Sequence, residues 1–279
     1  MSKSDLSFKR KERKFIILEQ SFDEIKVLLS KHIPIHTLNK NQENVLIQTT
    51  YFDSTDFLLF NEYLQKRKFR FKIRLRRYGY DGEFADHYLA ELKIKHNSIS
   101  IKKRFILPEH LFEKLLNGEN IKDEIREANK ELKGAQKTYK LVSKLIKINE
   151  LVPILQISYE RIAFQKKSKK IRMTIDRNIS HKKLLGKPKT ETLDAIIFES
   201  KINGKSPKWY KKMIKKLSLL RQQRFSKFAT GMNALYFPQR GKYNFFIDDA
   251  FPKNKVPENI IESFELLKKA FNLEKFDYK

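Results

Sequence analysis

The chain has 279 residues, of which 60 are Lys or Arg and 33 are Asp or Glu, and its formal net charge is +27. Because 40% of the residues are hydrophobic and 12% are aromatic, the chain can bury a sizeable core, which excludes disorder of the whole chain. The absence of cysteine excludes disulfides and thiol catalysis, and the positive charge indicates a polyanionic partner: nucleic acid, an anionic membrane or polyphosphate.

Membrane and secretion signals are absent from the sequence pattern. No apolar run reaches the roughly 18 residues that a transmembrane helix requires. The basic segment from Met1 to Lys14 lacks the apolar stretch of a secretory signal peptide. We therefore expect a cytoplasmic protein without a transmembrane segment, and an unidentified membrane partner stays open.

The first predicted strand lies near the N-terminus. Phe15 and Ile17 share one parity, and the opposite parity carries Arg10, Glu12 and Lys14. Successive side chains of a strand point to opposite faces of the sheet, so one face of this strand is charged. A helix is predicted next, from Phe22 to Leu29, with Ser21 as its N-cap.

The strongest alternation in the chain runs from Phe69 to Tyr78. Its apolar residues are Phe69, Phe71, Ile73 and Leu75, and its basic residues are Arg70, Lys72, Arg74 and Arg76. Like charges on one strand face repel one another, and solvated faces normally mix Lys with Glu and Thr. The unmixed row predicts a surface that faces a polyanion, and a solvated edge strand is the alternative interpretation.

The rest of the chain alternates between strand and helix patterns. Strands are predicted at Tyr88 to Lys95, Ile99 to Arg104, Ile154 to Phe164, Ile171 to Asp176 and Ile196 to Lys201. The first two form a hairpin through His96-Asn97-Ser98. Helical segments are predicted at about 108–148, as two or three helices, and at Pro207 to Leu217 and Pro257 to Phe271.

These elements predict an α+β fold. We expect an antiparallel eight-stranded β tunnel barrel with a charged lumen, decorated by helices, because burying the charged faces in a sandwich would cost several kcal/mol for each unpaired charge. A barrel keeps the lumen hydrated while the apolar faces pack outward. We expect one domain over residues 1–237 and a helical extension over 238–279 that packs on it.

The charged motifs, taken in order, resemble a known family. They are Arg10-x-Glu12-x-Lys14, Tyr51-Phe52-Asp53, Lys72-Ile73-Arg74-Leu75-Arg76, Glu91-Leu92-Lys93, Ser158-Tyr159-Glu160-Arg161, Arg172-Met173-Thr174-Ile175-Asp176, Glu199-Ser200-Lys201 and Ser226-Lys227-Phe228. Over roughly residues 8–237 this series is similar to the VTC domain, a polyphosphate polymerase domain among the CYTH-like triphosphate tunnel metalloenzymes. The resemblance implies binding of ATP or another nucleoside triphosphate, a Mn²⁺ or Mg²⁺ cofactor, and transfer of the γ-phosphate to a growing inorganic polyphosphate chain.

The resemblance also implies roles for individual residues. The implied catalytic residues are Arg74, Arg76, Lys93, Arg172, Lys201 and Lys227. The implied phosphate-binding residues are Arg10, Lys14, Lys72, Arg104, Arg161 and Ser226. The implied metal ligands are Glu199, Glu12 and Glu91. Arg suits bidentate phosphate contacts, and Mg²⁺ and Mn²⁺ prefer carboxylate and phosphate oxygens. For the three Glu residues, an ion pair with a lumen cation is the alternative interpretation.

Two other functions stay open. The same tunnel can hydrolyse triphosphates when water replaces the polymer as acceptor, and the chain can also be a non-catalytic polyphosphate-binding protein. Retention of Glu12 and Glu199 argues against a pure binder, because carboxylates weaken anion affinity. We expect no sequence-specific nucleic acid partner, since no recognition helix or aromatic basic sheet surface stands out.

Overall fold

The computed structural model describes residues 10–37, 42–97, 99–166, 168, 170–217, 219, 225–241 and 256–271. Its strands are β1 (Arg10–Ile17), β2 (Asn44–Asp53), β3 (Phe69–Tyr80), β4 (Glu83–Phe84), β5 (His87–His96), β6 (Ile99–Pro108), β7 (Val152–Lys166), β8 (Ile171–Lys183), β9 (Thr190–Leu193) and β10 (Ile196–Asn203). Its helices are α1 (Phe22–Ser30), α2 (Leu58–Leu64), α3 (Phe112–Leu116), α4 (Lys122–Ala128), α5 (Ala135–Ile148), α6 (Lys208–Lys216), α7 (Lys227–Leu235) and α8 (Glu258–Phe271). None of the described helices is both long and apolar enough to cross a membrane.

One antiparallel sheet organises the fold. Eight strands follow the order β1-β10-β8-β7-β2-β3-β5-β6, while β4 pairs with β3 and β9 pairs with β8. The predicted α+β class and the antiparallel eight-strand path are confirmed. The predicted hairpin between β5 and β6 is also present, with Glu91 opposite Arg104.

The ends of this path do not pair with each other among the described residues, so the predicted barrel is not closed by backbone hydrogen bonds. Both edge strands carry cations on the charged face, Lys14 on β1 and Lys102 and Arg104 on β6. Like charges placed directly opposite one another destabilise a strand pair, and charged edges discourage pairing. The charge pattern therefore opposes closure at this seam.

The apolar face of β3 explains where the largest core lies. Phe69, Phe71, Ile73 and Leu75 are all at most 2% exposed. They belong to a hydrophobic cluster that extends through β5 and β6 to α3, α4, α5 and α8. The helical insertion thus covers one outer side of the sheet, as the alternation predicts.

Two further clusters cover the remaining outer surface. One joins β2 and β7 to α7 through residues such as Ile154 and Met232. The other joins β1, β8 and β10 to α1 and α6 and includes Phe198 and Tyr210. Helices therefore pack around the sheet, and the charged strand positions are left to the opposite face.

The C-terminal helix α8 contacts the helical insertion and the sheet. Asn149 Nδ2 donates a hydrogen bond to Ser263 Oγ at 2.8 Å, and the Phe264 ring meets Phe69 edge-on with centroids 5.0 Å apart. Leu267 is fully buried. The division at residue 237 stays a prediction, but these contacts tie α8 to the main core.

A matched pair of substitutions on α8 tests this contact. Leu267→Ala should lower the free energy of unfolding by about 2–5 kcal/mol, because it removes a buried side chain and leaves a cavity. Ile261→Ala removes a side chain that is 42% exposed and should cost less than about 1 kcal/mol. Urea unfolding measures both values. Equal, small losses would contradict the packing of α8 on the core.

Candidate functional site

A cavity of about 750 Å³ lies on the charged face of the sheet. Its wall comes from β1, β2, β3, β5, β7 and β10, together with the turn after α2 and the start of α7. Among the described lining residues thirteen are Lys or Arg and two are Glu. The basic residues are Lys14, Lys66, Arg67, Lys68, Arg70, Lys72, Arg74, Arg76, Lys93, Lys95, Arg161, Lys201 and Lys227. This imbalance makes the cavity strongly attractive to anions.

Arg74 is fixed at the middle of β3 by a buried carboxylate. Its Nε and Nη2 lie 2.7 and 2.6 Å from Glu91 Oε2, and its Nη1 donates to the Tyr51 hydroxyl at 3.2 Å. Lys102 Nζ contacts the other Glu91 oxygen. Burial works to raise the pKa of Glu91, but Arg74, Arg76 and Lys102 outweigh it and hold the pKa at about 2. Glu91 therefore stays ionised and orients Arg74.

A second buried carboxylate joins three elements. Arg161 on β7 donates from Nε and Nη2 to the two Asp176 oxygens at 2.6 and 2.7 Å. Lys227, the first residue of α7, reaches the same carboxylate at 2.5 Å. Burial works to raise the pKa of Asp176, yet the two cations lower it far below its ordinary value. This ion-pair cluster holds α7 against β7 and β8.

Glu12, Lys14, Glu199 and Lys201 form a third charged group, on β1 and β10. The antiparallel register places Glu12 opposite Lys201 and Lys14 opposite Glu199. Lys201 contacts Glu199 and lies 3.8 Å from Glu12, while Lys14 lies 3.4 Å from Glu12. Burial works to raise the pKa of Glu199, but Lys201 and Lys14 outweigh it and hold the pKa at about 2. Two carboxylates therefore share one lysine.

These carboxylates bear on the predicted metal site. Among the described residues, no group of three or more His, Asp or Glu side chains is placed to hold an ion by itself. Mg²⁺ typically takes one or two carboxylates and completes its coordination with phosphate oxygens and water. Glu12 and Glu199 fit that donor set, because both approach Lys201 from neighbouring strands. Glu91 is occupied by Arg74 and Lys102.

Lys72 occupies an aromatic corner of the cavity. Its Nζ lies 4.2 Å from the ring centroids of both Tyr63 and Phe228. Burial and the nearby positive charge of Lys93 lower the pKa of Lys72 well below its ordinary value. Phe228 also packs against Tyr51, with centroids 4.8 Å apart. A phenyl ring at this position therefore contributes to the cavity wall through its face.

Other lining residues are positioned by single hydrogen bonds. Arg76 Nε donates to Thr49 Oγ1 at 3.1 Å across β2 and β3. Ser226 is the N-cap of α7, and its hydroxyl accepts a hydrogen bond from the Ala229 N–H at 3.4 Å. The N-terminus of α7 thus opens at the cavity, where its dipole favours negative charge.

The charges that act on Lys93 show that the two ends of the sheet face each other. Burial and the positive charge of Arg74 lower its pKa, and Glu12, Lys14 and Lys201 from β1 and β10 also act on it. β5 and β1 are far apart along the strand order. The sheet therefore curls until opposite walls of the cavity interact electrostatically.

Some residues with implied roles do not line the cavity. Arg104 lies on the edge strand β6, and Arg172 is the second residue of β8. Both side chains are exposed and neither belongs to the cavity wall. The side chain of Arg10 lies outside the described residues. Their implied roles, like those of the lining residues, stay predictions.

Several residues of the site had no role predicted from the sequence. Asp176 shares the parity of Arg172, but no local pattern predicts its contact with Lys227. Lys66, Arg70, Lys95 and Tyr63 line the cavity without having been assigned a role. The alternation on β3 and β5 marked Arg70 and Lys95 as cavity-facing, so these two were within reach of the pattern.

Together, these observations define an α+β domain in which a curled antiparallel sheet surrounds a cationic cavity with buried carboxylates. Residues 9–236 match the VTC domain, so the chain belongs to this family.

Two relatives align with parts of this chain. Vacuolar transporter chaperone complex subunit 4 of Schizosaccharomyces pombe is 26% identical over 191 residues, covering 62% of this chain and 26% of that protein. Subunit 2 of the same complex from Saccharomyces cerevisiae is 30% identical over 159 residues, covering 52% of this chain and 19% of that protein. The chain thus aligns with about a quarter or less of each relative. A solved structure from Bacillus halodurans is matched with a TM-score of 0.42 and 15% identity, covering 81% of this chain and 98% of that one.

The Asp176 cluster should be a major contributor to stability. Asp176→Ala leaves Arg161 and Lys227 without their shared carboxylate, and breaking such a buried pair costs about 3–5 kcal/mol. The control Asp123→Ala removes an exposed carboxylate that pairs with Arg126 on α4, and should cost less than about 1 kcal/mol. Urea unfolding compares the two. A similar loss in both variants would show that the cluster does not hold α7 in place.

Glu199 should make stability depend on pH in a defined window. Its pKa falls from an ordinary 4.5 to about 2 in the folded chain, so its contribution is complete above pH 4.5 and is lost as the pH falls toward 2. The free energy of unfolding of the wild type should therefore decline more steeply across this window than that of Glu199→Gln. Urea unfolding at several pH values gives the slopes, and Glu127→Gln on the exposed face of α4 is the control. Parallel slopes for all three proteins would contradict the ion pair.

Proposed function

We propose that this chain is a polyphosphate polymerase that transfers the γ-phosphate of ATP, or of another nucleoside triphosphate, to a growing inorganic polyphosphate chain. The observation that carries the proposal is the cavity wall, where cations from five strands converge around paired carboxylates. Membership of the VTC-domain family supports the same reaction class. The relatives are named as subunits of a complex, so we also propose that this chain works with partner proteins.

Fixed positive charge is the main catalytic device in this proposal. Phosphoryl transfer needs little covalent help from a protein, because alignment of the attacking and leaving oxygens and stabilisation of charge lower most of the barrier. Arg74 and Arg161 are held rigidly by Glu91 and Asp176, so they need not reorganise when the substrate binds. Arg76 and Lys227 would contact further phosphate oxygens from the two sides of the cavity.

A divalent ion fits the same site. Glu199 and Glu12 would hold Mn²⁺ or Mg²⁺ together with phosphate oxygens, and the bound ion would neutralise charge on the triphosphate. Lys201 contacts both carboxylates and keeps them close together. Lys14 and Lys93 would bind the phosphate groups beside them.

The acceptor needs no general base from the protein. A terminal phosphate of the polymer is substantially ionised near neutral pH, so its oxygen can attack the γ-phosphorus directly. The bond from the γ-phosphorus to the β,γ-bridging oxygen breaks as the new bond forms, and the nucleoside diphosphate leaves. The chain would therefore act by excluding water from the line of attack and by holding the polymer end in place. If water enters instead, the same site is a triphosphatase, and if neither acceptor reacts, the chain is a polyphosphate-binding protein.

The decisive experiment follows γ-labelled ATP with Mn²⁺ or Mg²⁺ and resolves the products on a gel. The wild type should produce a ladder of polymer. Arg76→Ala should lower the rate roughly 10²–10³-fold, since it removes a charged donor from the transition state. Arg76 is the sharpest choice, because its described partner is the neutral Thr49 and its loss leaves no carboxylate unpaired.

The matched control is Arg126→Ala, which removes an exposed arginine from α4 and should leave the rate unchanged. Glu199→Gln should raise the metal concentration needed for half-maximal activity. Labelled free phosphate without polymer would replace the polymerase proposal by the triphosphatase. Retention of polyphosphate without either product would leave only the binding function.

A further inference from the structure

The basic row on β3 is longer than the substrate of the proposed reaction requires. Arg76 and Arg70 lie six residues apart on one face of the strand, which corresponds to about 20 Å at ~3.3 Å per residue. Lys66 extends the row beyond the start of the strand and also lines the cavity. Three linked phosphate groups are much shorter than this row. The row of cations is therefore long enough to contact more phosphate groups than one triphosphate contains.

The two ends of this row differ in the residues that lie opposite them on β5. Arg74 is opposite Glu91 on β5, and the two are joined by an ion pair. Four residues nearer the start of β3, Arg70 is opposite Lys95. Like charges directly opposite one another destabilise a strand pair. Within the described part of the chain, no ion pair links Arg70 or Lys95 to a carboxylate. Glu62 pairs with the neighbouring Arg67 and its charge also acts on Arg70, so cations outnumber carboxylates at this end of the row.

Lys66, at the same end of the cavity, has an unusual backbone conformation. It follows the C-cap of α2 and adopts a left-handed backbone conformation, with φ of 54°. Glycine is the usual residue there, because a side chain is strained in this region. The position nevertheless carries a long cationic side chain that reaches the cavity wall. Strained backbone of this kind is concentrated at ligand sites.

Burial and the charge of Arg70 lower the pKa of Lys95, so repulsion acts on this residue. Burial also lowers the pKa of Arg70, although Tyr63 and Glu62 act in the opposite direction. Bound anions would relieve this repulsion. The metal-compatible carboxylates, Glu12 and Glu199, belong to the other part of the cavity, beside Lys201. The two ends therefore differ in chemistry: one suits a metal-bound triphosphate, and the other suits phosphate groups that carry no metal.

We propose that Lys66, Arg70 and Lys95 form a second phosphate-binding segment, the distal cluster, which holds the linear polyphosphate acceptor while the nucleoside triphosphate occupies the half near Arg74 and Glu199. The inference rests on the proposed function and names the part of the cavity that distinguishes a polymer from a single triphosphate. A hydrolase has no use for such a segment, because its acceptor is water.

The test compares two ligands of different length on the full chain. Isothermal titration of the wild type should show that long-chain polyphosphate binds at least about tenfold more tightly than tripolyphosphate. The variant Lys66→Gln/Arg70→Gln/Lys95→Gln should lose most of this difference while its tripolyphosphate affinity stays within about threefold of the wild type. The control Lys114→Gln/Arg126→Gln/Lys130→Gln removes the same charge from exposed positions on α3, α4 and the turn after α4, and should keep the difference.

Lys66→Gly separates a binding role from a structural one. Glycine relieves the backbone strain, so the melting temperature should not fall, yet polyphosphate affinity and the length of the product should both decrease. A variant that loses stability and length preference together would point to a structural role for Lys66 and overturn its assignment. In the synthesis assay, the triple variant should release shorter chains than the wild type.

The outcomes separate this inference from the proposed function. If the wild type makes polymer and the triple variant keeps both the wild-type chain length and the wild-type length preference, the distal cluster is wrong and the polymerase stands. If the wild type makes no polymer, but prefers the longer ligand and the triple variant does not, the distal cluster stands as a polyphosphate site and the polymerase proposal fails. If the wild type binds both ligands equally well, the second segment does not exist.

Discussion

Repulsion among the cations on the inner face of the sheet is the constraint on which the rest of the structure depends. A sheet that gathers so many Lys and Arg side chains in one cavity must compensate some of their charge, because partly buried cations are costly to desolvate. Glu91, Asp176 and Glu199 supply this compensation, and each contacts at least one cation. Their low pKa values keep them ionised throughout the neutral range.

The carboxylates neutralise only part of the positive charge in the cavity. The three carboxylates orient Arg74, Arg161 and Lys201, so charge faces the cavity in fixed directions before any ligand arrives. The surplus positive charge remains available to an anion. Compensation also varies along the cavity: Arg74 and Lys201 contact carboxylates, whereas Arg70 lies opposite Lys95.

The local pattern predicted the charged faces well. The alternation on β3 identified which residues are buried and which face the cavity, and the helical insertion follows the expected order of elements. The Glu199–Lys201 contact was an open alternative in the sequence, since the two residues share one strand face. By contrast, the Asp176 cluster joins residues that are 15 and 51 positions apart, and no local pattern reports such a contact.

The sequence by itself determined the two-faced strands that it predicted, the helices other than α2 and α7, and the motifs that mark the VTC-domain family. These features follow from backbone geometry, because alternation and helical spacing depend on neighbouring residues only. Only the tertiary structure decided that the described residues of β1 and β6 do not pair, that Arg104 and Arg172 lie outside the cavity wall, and that Lys227 shares a carboxylate with Arg161. Strand register and curvature settle these points, and both arise from contacts between distant parts of the chain.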